Sequence, residues 1–150
     1  MFKHILLPSD GSELSGKAAD MAIRLAKELG ASLTAVHVVE RYHPPFLKGD
    51  YKLPEIPALL KQRYEEETAA RVERILDTIK KAAAANGVKC RAVAVRSDSP
   101  YEAIIKRAQK SACDVIVMAS HGRRGLEGLL LGSETQKVLT HSAIPVLVCR

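Results

Sequence analysis

The spacing of apolar residues changes in a regular way along the chain. Ile5-Leu6-Leu7 is a short continuous run that stops at Pro8, and it predicts a buried strand. After Ser12 the spacing opens to threes and fours through Leu14, Ala18, Met21, Leu25 and Leu29, which predicts a helix with that stripe turned inward. Gly30 follows, placed to close the helix in the left-handed conformation. Ser32 to Val39 is β-branched and apolar and predicts a second strand. Leu60, Tyr64, Val72, Ile75, Leu76 and Ile79 share one face of a long helix that Asn86-Gly87 ends. Val88 to Val95 predicts a third strand. In Ser99-Pro100-Tyr101-Glu102, Ser99 caps a helix, Pro100 suits its first turn and Glu102 completes a capping box ahead of Ile104, Ile105 and Ala108. Asp114 precedes a fourth strand, Val115 to Ala119. Ser133 opens a short helix to about His141, and Pro145 leads into a last strand at Val146-Leu147-Val148.

Strands and helices therefore alternate from end to end, and the strands are of the continuous apolar type that is covered on both faces. That predicts an α/β fold: an open, mainly parallel sheet with helices on both faces, joined by right-handed crossovers. The 150 residues suit one domain over 1–150. A chain of that length buries roughly 70% of its unfolded surface, so it needs neither disulfides nor a structural metal. Residues 40–57 break the rhythm with Pro44, Pro45, Pro54, Pro57 and Gly49. Loops this long are usually functional or mobile. Tyr42, Phe46 and Tyr51 suit either a flap packed on the body or a lid or partner surface.

Composition narrows the function. Apolar residues at 47% and charged residues at 27% exclude a disordered chain. The longest apolar runs, such as Val115-Ile116-Val117-Met118-Ala119, are far short of the roughly 20 residues of a membrane span. The opening MFKHILLPSD reaches Pro and Asp too early for a signal peptide, so a cytoplasmic protein is expected. A net charge of +6 suits phosphates or other acidic partners, but the cations are scattered and Trp is absent, which disfavours nucleic acid. Cys90, Cys113 and Cys149 are odd in number and widely spaced, and they read as small packed side chains in a reducing compartment. His4, His37, His43 and His141 show no metal spacing.

In open parallel sheets ligands bind beyond the carboxyl ends of the strands at the switch point of the topology. The two most polar strand ends are Pro8-Ser9-Asp10-Gly11-Ser12 and Met118-Ala119-Ser120-His121-Gly122. The second runs on through Arg123, Arg124, Gly125, Gly128 and Leu129-Leu130-Leu131 to Gly132, and then to a helix start with its own capping box, Ser133-Glu134-Thr135-Gln136. A glycine loop feeding a helix N-terminus is suited to anions: amides approach closely, and the helix end offers free donors with partial positive charge. The hydroxyls of Ser133 and Thr135 are further candidate phosphate donors, and Arg123 and Arg124 candidate counter-charges. The loop is neither a Walker A motif nor a dinucleotide GxGxxG. On its own it is equally a surface loop that docks its three leucines.

Val115 to Arg150 resembles the carboxyl third of the universal stress protein family, and Pro8-Ser9-Asp10-Gly11-Ser12 resembles that family's first-strand signature; the resemblance covers the whole chain. Its nucleotide-binding branch carries G-x2-G-x9-G-(S/T), matched here by Gly122, Gly132 and Ser133. Ala119 stands where that motif has its first glycine, and its methyl is expected to crowd a ribose or phosphate, most of all if the backbone there needs a positive φ. The resemblance implies a five-stranded parallel sheet of order 3-2-1-4-5, adenine nucleotide alpha hydrolase-like. It also implies a homodimer paired through Val146–Cys149 and a bound ATP or other adenine nucleotide, with magnesium carried by the phosphates. By the same resemblance Asp10 reaches toward the nucleotide near Pro8, and the backbone near Val38 reads adenine. Met118 and Ala119 line base and ribose, while Gly122, Gly132, Ser133 and the Glu134 amide hold phosphates; His121 and Thr135 complete the candidate set. The function implied is a regulatory stress-response module with little catalysis.

Two other classes stay in play: a slow ATPase in which His121 or Asp10 positions water, and a dimeric scaffold that Ala119 keeps free of nucleotide. Asp10 also has a purely structural role open to it, bracing the turn into the first helix. A Ser-His-Asp hydrolase built from Ser120 or Ser133, His121 and Asp10 lacks the G-x-S-x-G elbow.

Overall fold

Strand β1 (His4–Pro8) runs through the centre of the sheet, which explains why Ile5, Leu6 and Leu7 are apolar without alternation: each is fully buried. The computed structural model describes residues 1–41, 58–122 and 131–150. After β1 come α1 (Glu13–Leu29), β2 (Ser32–Val39), α2 (Ala58–Ala85), β3 (Cys90–Arg96), α3 (Pro100–Lys110), β4 (Val115–Ala119), α4 (Ser133–His141) and β5 (Val146–Cys149). The strands form one parallel sheet of order β3-β2-β1-β4-β5, as the resemblance implies. The aromatic segment with Tyr42, Phe46 and Tyr51 lies outside the described residues, as do Arg123, Arg124, Gly125, Gly128, Leu129 and Leu130.

Alternate strand residues feed two cores. Ile5, Leu7, Leu33, Ala35, Val115 and Val117 pack under α1 and α2. Leu6, Val36, Ile116 and Met118 pack under α3 and α4 with Ile104, Ala108 and Val138. Gly30 ends α1 at φ 64°, as expected, and Ser12 caps its start by accepting from the Ser15 amide at 3.2 Å.

Several expectations about faces and caps need correction. In α1 the inward face is Ser15, Ala18, Ala19, Ala22, Ile23 and Ala26, while Met21 and Leu29 are exposed. Small side chains let this helix lie close on the centre of the sheet, so the larger residues are pushed to its flank. In α2, Leu60 and Tyr64 are exposed and burial begins at Thr68. A 28-residue helix is about 42 Å long, whereas the eight-residue β2 spans about 26 Å, so the first turns of α2 overshoot the sheet. Strand β3 starts at Cys90 rather than Val88, although Val88 is buried.

Ser99 occupies the N-cap of α3, but its side chain makes no capping bond. The Tyr101 amide in that first turn donates instead to Glu134 Oε2 of α4 at 2.8 Å. At α4 the N-cap is Gly132, not Ser133, and among the described residues no side chain caps the helix, so the second capping box does not form either.

Candidate functional site

The carboxyl ends of β1 and β4 lie side by side, in the register Ile5↔Val115 and Leu6↔Ile116. Just beyond β1, Ser9 is braced on every side. Its amide donates to the Val36 carbonyl at 2.9 Å, and its carbonyl accepts from His37 Nδ1 at 2.8 Å. Its hydroxyl shares a hydrogen bond with Ser15 Oγ at 3.1 Å and accepts from the Gly11 amide at 3.3 Å. His37 is buried within β2, so it pins the end of β1 from the neighbouring strand. These contacts fix where the next residue, Asp10, can point.

Asp10 does two things at once. Its Oδ1 accepts from the Ser12 amide at 3.0 Å, bracing the turn into α1 as its structural reading expects. Its Oδ2 lies against Gly122: a Cβ on that glycine would collide with it and sit 3.3 Å from the Asp10 Cγ. The two polar strand ends singled out in the sequence are therefore in direct contact.

The end of β4 is tied down as firmly. The Ser120 amide donates to the Cys149 carbonyl at 2.7 Å, and the Ser120 carbonyl accepts from the Gly132 amide at 2.7 Å. Ser120 Oγ and His121 Nδ1 are 3.2 Å apart. Gly132 has φ −70° and ψ 155°, which any residue can adopt. It is needed for closeness instead, because a Cβ there would meet His121 Cα at 3.1 Å and His121 Cβ at 3.2 Å. The same close approach makes Gly132 the N-cap and shifts Ser133 into the first turn. There the amides of Ser133, Glu134 and Thr135 are the first-turn donors that an α-helix itself leaves unpaired, and Gly132 has no side chain to offer them.

Of the predicted site residues, Asp10, His121, Gly122, Gly132, Ser133 and Glu134 are brought to this one edge. Thr135 is a correction. Its hydroxyl is buried and donates to the Ala119 carbonyl at 3.0 Å, so it holds α4 to β4 and is not offered to a phosphate. Met118 and Ala119 are buried in opposite cores, leaving their backbone as the part that this edge can present. Ala119 is not among the described residues with positive φ, and its methyl packs in the α1/α2 core. Pro8 is buried at the end of β1, and Val38 is half-buried in β2 beside the α3/α4 core. The Glu134 carboxylate reaches toward α3. It accepts from the Tyr101 amide and from Lys137 Nζ at 2.9 Å, and that bond raises the Lys137 pKa above its ordinary value.

Sequence reasoning missed Ser9, Ser15 and His37. The available signal was the presence of His37 in the middle of the otherwise apolar run Ala35-Val36-His37-Val38-Val39, where a buried imidazole needs a partner. Beside this edge, a cavity of about 290 Å³ opens between α1 and α2, lined by Ser9, Gly11, Ser12, Gly16, Ile75 and Ile79 among others. The three cysteines are free, and burial pushes the Cys113 thiol up to about 11. Among the described residues no helix is long and apolar enough to cross a membrane.

Comparison with known proteins agrees with this architecture. The model of the universal stress protein family matches residues 1–150. Universal stress protein MJ0531 of Methanocaldococcus jannaschii is 36% identical over 154 residues, spanning all of this chain and 83% of that protein. The solved structure of MJ0577, a universal stress protein of the same organism, superposes with a TM-score of 0.80 at 28% identity, covering 99% of this chain and 96% of that one. A universal stress protein solved in complex with cAMP has the same fold, with a TM-score of 0.71 at 23% identity over 99% of this chain and 97% of that one.

Proposed function

The chain belongs to the universal stress protein family, and from that premise we propose that it is an adenine-nucleotide-binding regulatory module with ATP as its ligand. The observation that carries the reading is the uncapped first turn of α4, drawn close to β4 by the 2.7 Å bond from the Gly132 amide to the Ser120 carbonyl. The amides of Ser133 and Glu134, with the Ser133 hydroxyl, are donors suited to phosphate oxygens, and the helix end adds partial positive charge. Asp10 has the opposite character. A carboxylate accepts only, so it suits ribose hydroxyls or an amino group and repels phosphate. The site thus has polarity: base and ribose toward β1 and the Val38 end of β2, phosphates toward α4. A magnesium ion would come with the phosphates. The related protein solved with cAMP supports an adenine nucleotide as the class of ligand.

Binding to the folded state alone stabilises it by roughly 2.7 kcal/mol at a ligand concentration 100 times the dissociation constant. The nucleotide therefore acts as a regulator by favouring one conformation. A second copy pairs with this chain along β5, whose outer edge has no strand beside it among the described residues and whose Leu147 is 42% exposed. Titration calorimetry with Mg-ATP tests the nucleotide reading. Wild type should bind, Ser133→Ala should weaken binding several-fold, and Gly132→Val should abolish it. No heat and no thermal shift in wild type would overturn the proposal.

A further inference from the structure

A second concave site lies between the end of edge strand β3 and α3. It encloses about 240 Å³. Four cations line it: Arg96 from β3, and Lys106, Arg107 and Lys110 from α3. The one carboxylate among the described residues that line it is Glu102, and it is already engaged. Glu102 Oε2 lies 3.7 Å from Lys106 Nζ, and Oε1 accepts from the Tyr101 hydroxyl at 3.1 Å. Among the described residues none supplies a carboxylate partner to Arg96, Arg107 or Lys110.

From this cavity and its three cations without a carboxylate partner, we infer that the protein binds a compact polyanion of the pyrophosphate class between β3 and α3, separately from the nucleotide. Positive charges gathered round one concavity repel each other, and an anion placed among them relieves that repulsion while gaining attraction to each. Lys106 and Lys110, four residues apart, lie on one face of α3, so their ammonium groups reach the same opening. Arg96 and Arg107 approach it from two different elements. Their planar forks match pairs of phosphate oxygens, a geometry that a lone ammonium lacks. Among the described residues that line it, the apolar part is Val95 and Ala103, and none carries an aromatic ring to stack a base. The ligand class is therefore the charged group without a nucleobase.

An amide-resolved NMR titration with sodium pyrophosphate tests this, in wild type and in Gly132→Val, where the α4 site is blocked. The expected result is that Ser97, Lys106 and Arg107 shift saturably in both proteins. The combined variant Arg96→Gln, Arg107→Gln, Lys110→Gln should bind at least tenfold more weakly. A control set that removes as many exposed cations from the opposite layer, Arg24→Gln, Lys61→Gln and Arg63→Gln, should bind as wild type does. Shifts confined to residues 132–135, or equal weakening by the control set, would overturn the inference. A failure of the nucleotide reading leaves the test intact, because it is read at residues of β3 and α3.

Discussion

Adding one methyl at Gly132 should separate affinity from stability. Ala adopts φ −70° and ψ 155° without strain, so Gly132→Ala carries no torsional cost. The methyl would sit 3.1 Å from His121 Cα, 3.2 Å from His121 Cβ and 3.4 Å from the Ser120 carbonyl oxygen. Two of those three atoms are backbone, so relief requires the chain to move by a few tenths of an ångström, which also stretches the 2.7 Å bond between the Gly132 amide and Ser120. Overpacking of this kind costs about 1–3 kcal/mol. Replacing Gly by Ala restricts the unfolded chain and returns about 0.4–1 kcal/mol. The net loss is about 0–2.6 kcal/mol, and at roughly 2–4 °C per kcal/mol for a domain of this size the melting temperature falls by at most about 10 °C. The nucleotide feels the change differently, because the displaced segment carries the first-turn amides of α4. We expect Mg-ATP affinity to fall at least tenfold by calorimetry while scanning calorimetry shows a folded protein. A rise in melting temperature with unchanged affinity would refute the reasoning: the close approach of Gly132 to β4 would then matter to neither.

Four other outcomes follow from the same geometry. Thr135→Val, nearly isosteric, strands the buried Ala119 carbonyl and should cost about 1–3 kcal/mol by urea unfolding. Cys113 keeps its proton in the folded chain up to about 11, whereas an ordinary thiol near 9 loses it sooner, so its contribution is intact below about pH 9 and is lost as pH rises to about 11. Melting temperature should therefore fall more steeply across that window in wild type than in Cys113→Ala; identical slopes would remove the thiol as cause. If a second copy pairs along β5, as proposed, Leu147→Lys places a charge at that seam and should shift the dimer to monomer in light scattering; a wild type already monomeric would remove the pairing. Glu134→Ala removes the acceptor of the Tyr101 amide and should cost about 0.5–2 kcal/mol, as for a lost helix cap, whereas Glu134→Gln should retain most of the stability.

The fold was legible because its signals are local. Ile5-Leu6-Leu7 and Val115–Ala119 read as buried strands from composition alone, and Gly30 and Ser12 marked the limits of α1 through backbone chemistry that needs no knowledge of the rest of the chain. Periodicity misled where shape decides burial. Met21 and Leu29 sit at helical spacing in α1, yet the face that meets the sheet is the alanine row, because a close approach favours small side chains over the most hydrophobic ones. Leu60 and Tyr64 continue the stripe of α2 past the point where there is a sheet to cover.

At the candidate site, the sequence picked out residues that the fold brings to one edge but not the partners that hold them there. Spacing placed Gly122, Gly132 and Ser133 at the strand end, and the contact of Gly122 with Asp10 joins that stretch to the first. A capping box, however, is a statement about neighbours in sequence, and here both boxes lose to neighbours in space. Glu134 caps α3 from another helix, and Gly132 takes the N-cap of α4 because its amide is held by Ser120. The exchange has a consequence for function. The first turn of α4 carries the Ser133 and Glu134 amides, and the Glu134 carboxylate reaches to the Tyr101 amide of α3. A ligand that draws this turn inward must either stretch the 2.8 Å bond to Tyr101 or bring the start of α3 with it. If the first turn of α4 holds the nucleotide, as proposed, one side chain links its occupancy to the position of α3, and α3 is also the helix that carries three of the cations around the second cavity.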